Sequence, residues 1–304
     1  MLGAFLATIL FSISAICGNR ASKLLGGTEA NFWRLLFATL LLAAYAHVLG
    51  QGFSGPAFRT FFISGCIGFG VGDLALFQAL PRIGSRLSVM LVLCLSSPLG
   101  AALEWFWMRT ALSGPEIWSA VVVLIGVAVA LAPSEHLNAT RPVLWTGVTF
   151  GLIAAICQAL GAVLSRQAFA EDRAGGLDID GVTAAYQRIL GGVLVTGVFL
   201  SIVKLKPNPV GLHTPDQMAR LRAAIPLVLL NGLAGPALGV SCYQWALKNA
   251  PTGIVLPIVA TTPVIIIPFS FLFEKERPSK RSLVGGIMAV LGAVSLAMFR
   301  NAGR

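Results

Sequence analysis

The chain contains the uncharged run Val143-Leu-Trp-Thr-Gly-Val-Thr-Phe-Gly-Leu-Ile-Ala-Ala-Ile-Cys-Gln-Ala-Leu-Gly-Ala-Val-Leu164, which is 22 residues long. A helix of about 20 apolar residues crosses the hydrocarbon core of a bilayer. A strand of a membrane β-barrel would instead alternate polar and apolar residues over about ten positions. The run therefore predicts a transmembrane α-helix.

The rest of the chain has the same character. Of its 304 residues, 56% are hydrophobic and 11% charged, and the mean hydropathy is +0.83. Soluble domains carry about 25% charged residues, so this composition excludes a globule in water. The net charge of +10 comes from cations at the ends of apolar runs, which favours lipid headgroups over nucleic acid as their surroundings. We expect a lipid bilayer as partner and no nucleic acid.

Turn and breaker residues divide the chain into ten apolar runs. These runs cover residues 2–19, 30–49, 60–80, 84–108, 115–132, 143–169, 181–203, 223–247, 252–273 and 282–299. The third run is predicted to end at Pro81 and Arg82. The fold class expected is an all-α integral membrane protein with ten transmembrane helices.

The two halves of the chain resemble each other. Ala79 and Leu80 match Ala246 and Leu247, 167 positions later, and Arg34 matches Arg188, 154 positions later. The offset changes only across connections, as in a tandem duplication. We expect a first five-helix repeat over 1–133, a connection over 134–142 and a second repeat over 143–304. Because five is odd, the second repeat enters the bilayer from the opposite side, which makes the repeats inverted.

Several short motifs lie in matching order in the two halves. The first half has Gly70-Val-Gly-Asp-Leu-Ala-Leu-Phe-Gln-Ala-Leu80, Gly84-Ser-Arg86 and Ser96-Ser-Pro98. The second half has Gln244-Trp-Ala-Leu247, Thr261-Thr-Pro263, Phe273-Glu-Lys-Glu276 and Gly285-Gly286. This pattern resembles EamA-type members of the drug/metabolite transporter superfamily over nearly the whole chain. One departure concerns the fourth span, which usually ends in Gly-Glu in that family. Residues 107–110 read Trp-Met-Arg-Thr here, with Glu104 about one turn earlier.

Inverted repeats are typical of secondary transporters, which bind substrate near the bilayer midplane between the repeats. The resemblance implies the same function, and export is the expected direction. The expected substrate is a small metabolite such as an amino acid or a related amphipathic compound. The expected location is a bacterial cytoplasmic (inner) membrane, with a monomer or a homodimer as the assembly. The alternative is an integral-membrane enzyme acting on a lipid or isoprenoid. That alternative is disfavoured because the sequence shows no clustered Asp or His, no paired metal-ligand spacing and no phosphate-binding loop. We therefore expect no catalytic residue, metal or cofactor.

Charged residues inside predicted spans are costly and mark candidate sites. Arg34 and Arg188 either bind an anionic substrate group through their guanidinium forks or extend to the headgroups as anchors. Asp73 and Glu104 are the candidates for coupling to protons. Asp73 alternatively forms a structural ion pair with Arg34 or Arg86.

Further polar and aromatic residues are predicted to line the substrate path. The predicted substrate-binding set is Trp33, Arg34, Gln78, Gln187, Arg188, Asn231, Tyr243, Gln244 and Trp245. Asn231, Gly235, Leu238, Cys242 and Trp245 follow helical spacing and would form one stripe of the eighth span. Asp73 and Gln78, five positions apart, should not share a helix face. Pro98, Pro257 and Pro263 are predicted helix breaks along the pathway, where Ser96, Thr261 and Thr262 either face the path or satisfy freed carbonyls.

Overall fold

The computed structural model describes residues 2–108, 113–131, 141–205, 215–250, 252–274 and 279–302. These residues are helical apart from short turns, and no β-strand occurs among them. The α-helices are α1 (Leu2–Leu25), α2 (Gly27–Val48), α3 (Phe58–Gly65), α4 (Asp73–Met108), α5 (Gly114–Leu131), α6 (Arg141–Ala174), α7 (Gly181–Leu205), α8 (Pro215–Gly232), α9 (Val240–Asn249), α10 (Thr252–Val259), α11 (Thr262–Glu274) and α12 (Lys280–Ala302). Two π-helical segments, π1 (Cys66–Gly72) and π2 (Leu233–Gly239), join α3 to α4 and α8 to α9.

Most of the helices suit a bilayer. Seven stretches of the described chain are long enough and apolar enough to cross one, and α5 and α12 contain two shorter apolar helices. Large apolar side chains also cover the outer surface: Phe106, Trp118 and Trp145 are 79%, 71% and 70% exposed. An apolar surface of this kind is typical of a protein that contacts lipid. The chain is therefore an all-helical integral membrane protein.

The boundary between the predicted third and fourth spans lies within one long helical run. Phe58–Gly100 forms a 43-residue apolar stretch, and α4 contains one non-helical residue, Gly84, with φ 80°. A positive φ is strained for any residue with a Cβ, so glycine permits the break. The expected turn at Pro81 and Arg82 is therefore wrong by a few residues, because Pro81 remains inside the helix.

Other helix ends also differ from the prediction. α1 continues to Leu25 through Asn19 and Ser22, whose side chains are buried. α6 continues to Ala174, and Asp172 in its last turn accepts a hydrogen bond from the backbone N–H of Ala57 at 3.1 Å. Hydropathy predicts the C-terminal ends of α1 and α6 too early, because polar residues that are buried against neighbouring segments lower the hydropathy although the helix continues.

The predicted ninth span consists of two helices, α10 and α11, separated at Ala260 and Thr261. Pro263 has no N–H to donate to the carbonyl of Val259, and the hydroxyl of Thr262 donates to that carbonyl at 2.6 Å. The Thr261 hydroxyl likewise donates to Ile258, and that of Ser96 to Leu93. The hydroxyl of Thr262 therefore satisfies the carbonyl that Pro263 leaves free, which is the second of the two roles expected for these residues. Pro98 and Pro257 remain inside α4 and α10.

Candidate functional site

A cavity lies in the centre of the helical bundle. It is lined by side chains from α1, α2, π1, α4, α6, α7, π2 and α9, so both halves of the chain contribute. Its volume is about 100 Å³, which is small beside the roughly 300–1,000 Å³ of pockets for drug-sized ligands. Its walls are mainly apolar and aromatic, and its charged lining residues are Arg34, Asp73 and Arg188.

Arg34 is held by protein partners. It lies in the second turn of α2, is 4% exposed, and its guanidinium forms an ion pair with Asp73 at the start of α4. Its Nε also donates to Asn31 Oδ1 at 2.9 Å. The ring of Phe77 lies against the same guanidinium, 4.4 Å from its carbon to the ring centroid. Charge, hydrogen bonding and aromatic contact together compensate Arg34 for the loss of water.

Arg188 lies in the second turn of α7 and is also 4% exposed. Phe69 contacts its guanidinium at 5.3 Å. Within the described part of the chain, no carboxylate lies within ion-pair distance of Arg188, and its Nε has no hydrogen-bond partner. A buried cation without a carboxylate is costly, so Arg188 is the group in this cavity best able to accept an anion.

The π-helical segments lie opposite the two arginines. A Cβ at Gly65, just before π1, would overlap the carbonyl oxygen of Arg188, and a Cβ at Gly68 would lie 3.0 Å from an Arg188 side-chain nitrogen. In the other half, Gly232 and Gly235 lie in the same way against Arg34, at 2.8 Å from its carbonyl oxygen and 3.3 Å from its Nη1. Glycine permits this close approach of backbones. Short π-helical insertions are frequent at functional sites.

Tyr243 and Gln158 supply the neutral polar part of the wall near Arg188. Tyr243 is 2% exposed, and its hydroxyl faces the side chain of Gln158. The edge of Phe11 packs against its ring, with centroids 6.1 Å apart. Gln158 was not among the predicted residues, although it is the one amide in the uncharged run from Val143 to Leu164. That isolation inside an apolar span was the available signal.

Six of the nine predicted substrate-binding residues lie outside the cavity lining, and Trp33, Gln187 and Gln78 are three of them. Trp33 is 42% exposed on the outer face. Gln187 is fully buried, but its amide donates to the carbonyls of Gly52 and Ser54, each at 3.0 Å, and so holds the connection after α2. Gln78 donates to Thr28 and accepts from Arg82. Asp73 lines the cavity and Gln78 does not, as their five-residue spacing predicts.

The predicted stripe of the eighth span is interrupted by π2. Asn231 is buried, Leu238 and Trp245 are 48% and 47% exposed, and neither Asn231 nor Trp245 lines the cavity. The prediction assumed a regular α-helix, whereas π-helical i→i+5 bonding widens the turn and rotates the residues that follow. Asn231 instead accepts a hydrogen bond from Ser14 at 3.0 Å. Gln244 is buried beside Ser165, 3.5 Å away.

Of the predicted set, the cavity brings together Arg34, Asp73, Arg188 and Tyr243. The burial of both arginines beside this space favours the pocket alternative over anchoring at the headgroups. Asp73 forms the ion pair with Arg34 that was one of its two expected roles. The side chain of Glu104 and the connection 134–140 lie outside the described residues.

Comparisons with known proteins agree with this architecture. The model of the EamA-like transporter family matches residues 1–132 and again residues 145–298. An uncharacterized transporter of Archaeoglobus fulgidus is 27% identical over 299 residues, which cover 96% of this chain and 95% of the relative. A solved crystal structure of a protein superimposes with a TM-score of 0.68 at 15% identity, covering 99% of this chain and 97% of that one. At that identity the superposition supports the fold alone.

Proposed function

The chain belongs to the EamA-like transporter family, and on that premise we propose that it is a secondary transporter, not an enzyme. Its substrate is a small amphipathic metabolite that carries a carboxylate or a similar anionic group, such as an amino acid or a related compound. The observation that carries this proposal is Arg188, a buried cation beside the central cavity with no carboxylate partner among the described residues.

The transporter has ten membrane-spanning helices in two inverted five-helix repeats. A helix of 43 residues is about 65 Å long, far more than one bilayer thickness, so Phe58–Gly100 is counted as two spans divided at Gly84. With α5 and α12 included, the described helices then supply ten. The positions of π1 and π2 support the duplication, because Cys66 and Leu233 are 167 positions apart, as are Gly72 and Gly239.

The substrate binds at the interface between the repeats. Transporters with inverted repeats place their site near the bilayer midplane and move one repeat against the other. The guanidinium of Arg188 offers planar, bidentate hydrogen bonds to the substrate anion. Phe11, Phe69 and Phe77 provide apolar contact for the remainder of the molecule. Binding of the anion offsets the cost of burying the Arg188 charge.

The proposed location is a bacterial cytoplasmic membrane, because helical spans rather than β-barrels argue against an outer membrane. The proposed assembly is a monomer or a homodimer. Export is the direction expected from the family resemblance, and Asp73 is the candidate for coupling to protons. Whether protons move with the substrate or against it tests that direction.

Counterflow in proteoliposomes tests the proposed function. Vesicles loaded with unlabelled amino acids or aromatic carboxylates should accumulate the labelled form of the compound that the protein carries. Arg188→Gln should reduce this counterflow at least tenfold, since a desolvated charge-assisted contact is worth several kcal/mol. Arg59 at the start of α3 is exposed, so Arg59→Gln is the matched control and should retain activity. If the whole panel fails with wild-type protein, or Arg188→Gln equals wild type, the proposed site is wrong.

A further inference from the structure

We propose that the cavity selects substrates of net negative charge, and that protonation of Asp73 increases their affinity, so that proton and anion cross the membrane in the same direction. This inference rests on the proposed function and specifies its substrate class and coupling. It follows from the three charged side chains of the cavity and from the way they are paired.

The cavity carries one positive charge in excess. Asp73 neutralises Arg34, and Arg188 has no second carboxylate among the described residues. In a low-dielectric interior an uncompensated charge favours an occupant of opposite net charge. A monoanion neutralises the cavity, whereas a zwitterion leaves the excess charge in place and a cation doubles it. The described geometry therefore favours organic anions over zwitterionic amino acids.

The groups facing Asp73 come from several elements. Arg34 on α2 forms the ion pair, and Arg188 on α7 acts on it electrostatically. Cys157 on α6 is also electrostatically coupled to Asp73. Tyr243 on α9 and Ser14 on α1 share the cavity wall. Arg34 and Arg188 are the charged groups of this set, and the other three are neutral at ordinary pH.

The ionised carboxylate of Asp73 and an anionic substrate compete for the same positive field. When Asp73 is ionised, it repels the substrate and occupies Arg34. When Asp73 is protonated, this repulsion ends and Arg34 becomes available, so that the anion can bridge both guanidiniums. Proton binding thus raises anion affinity, and by reciprocity anion binding must raise the proton affinity of the cavity by the same factor.

Coupling of this sign has a consequence for direction. The cavity without substrate and with ionised Asp73 carries the same net charge as the cavity with a bound anion and protonated Asp73. The protein can therefore switch between its inward-facing and outward-facing states in either condition with the same charge in the cavity. Where the proton gradient points inward, such coupling drives uptake of the anion, which is opposite to the export expected from the family resemblance.

Binding to purified protein tests the charge selection. Phenylmethanesulfonate, phenylalanine and phenethylamine share a phenyl ring and carry a negative, zero and positive net charge. The sulfonate should bind most tightly and the amine least. Its affinity should rise on the order of tenfold as the pH falls from about 8 to 5.5, a range in which the sulfonate itself does not titrate. Asp73→Asn, which mimics the protonated side chain, should bind tightly throughout and lose this pH dependence.

Flux into proteoliposomes tests the shared direction. A sulfonate gradient directed inward should acidify the lumen through wild-type protein, as reported by an internal pH dye, and should not do so through Asp73→Asn. A permanently ionised sulfonate is chosen because a carboxylic acid crosses the bilayer unaided and carries its own proton.

Two outcomes separate this inference from the proposed function. Transport of phenylalanine with alkalinisation of the lumen, or sulfonate affinity that falls at low pH, would overturn the inference and leave the transporter intact. Failure of every compound to move or bind would overturn both. Folding of each variant is checked by its elution as a single species in detergent, and Asp73→Glu, which retains a titrating carboxyl, should restore the pH dependence.

Discussion

The two buried arginines have similar positions and different partners. Arg34 and Arg188 are equally buried, each contacts a phenylalanine ring, and each lies against a glycine pair beside a π-helical segment. Arg34, however, has Asn31 and Asp73 as partners. Positions 154 and 167 residues later hold Ala185 and Val240, so Arg188 lacks both. Similar surroundings thus produce one paired cation and one that can accept a ligand.

Under the proposed function, the arginine without a carboxylate partner is the one that serves the transport site. A buried ion pair is largely compensated within the protein, whereas a buried charge that has lost its partner is strongly unfavourable. Where the carboxylate at one of two equivalent positions is replaced, the buried arginine has no partner. Binding an external anion then relieves the free-energy cost of that unpaired charge. The apolar residue Val240 therefore matters as much to the proposed site as Arg188 does.

Val240→Asp should have the largest effect, because it would make the two arginine environments alike. Val240 packs with Ala185 and Ile189 of α7 in one buried cluster, so a carboxylate there would lie near Arg188. We expect about a hundredfold loss of anion transport, since a close charge pair in a buried interface is worth a few kcal/mol. Counterflow with phenylmethanesulfonate measures it.

Val240→Asn is the control for that experiment, because it adds a polar side chain of similar size without the charge. It should lose far less activity than Val240→Asp. Equal losses in the two variants would mean that packing at position 240, not the charge, controls transport. The missing carboxylate partner of Arg188 would then not explain transport.

Lysine at the two arginine positions should give an intermediate effect and separate the two roles. Arg188→Lys keeps the charge but loses the bidentate fork, so transport should fall about tenfold. Arg34→Lys keeps the charge that pairs with Asp73 and that faces the anion once Asp73 is protonated. It loses mainly the contact with Asn31, so a reduction of about threefold or less is expected. Initial rates normalised to inserted protein measure both. Near-normal rates for Arg188→Lys would mean that position 188 needs only a positive charge and makes no bidentate contact with the substrate.

Gln187→Leu should have the smallest effect on transport. Gln187 was predicted to bind substrate, but it lies outside the cavity lining and holds the carbonyls of Gly52 and Ser54. Its loss should cost about 1–2 kcal/mol of stability and lower the thermal midpoint by about 2–6 °C, with counterflow unchanged. Ser201→Ala, on an exposed turn of α7, is the control for the thermal measurement. Loss of transport without loss of stability would support the original prediction that Gln187 binds substrate.

Individual residues show what could be predicted for the site. Arg34, Asp73 and Arg188 were identifiable because charges are rare within apolar runs, and Tyr243 because it lies inside one. Trp33, Gln187 and Trp245 were chosen by proximity in sequence or by helical spacing, and the cavity includes none of them. Helical spacing failed at Trp245 because π2, which no hydropathy pattern signals, changes the phase of the helix between Asn231 and Trp245.

The sequence alone determined that the chain is helical and embedded in a bilayer, because run length and charge depletion are local properties of consecutive residues. It also indicated the duplication, since matching positions survive in the linear order. Tertiary structure decided which intramembrane charge is paired. Asp73 is 39 residues from Arg34 and 115 from Arg188, and only the packing of α2 and α7 around the start of α4 shows that the ion pair forms with Arg34. Pairing depends on distances of a few ångströms between separate helices, and no local pattern encodes such distances.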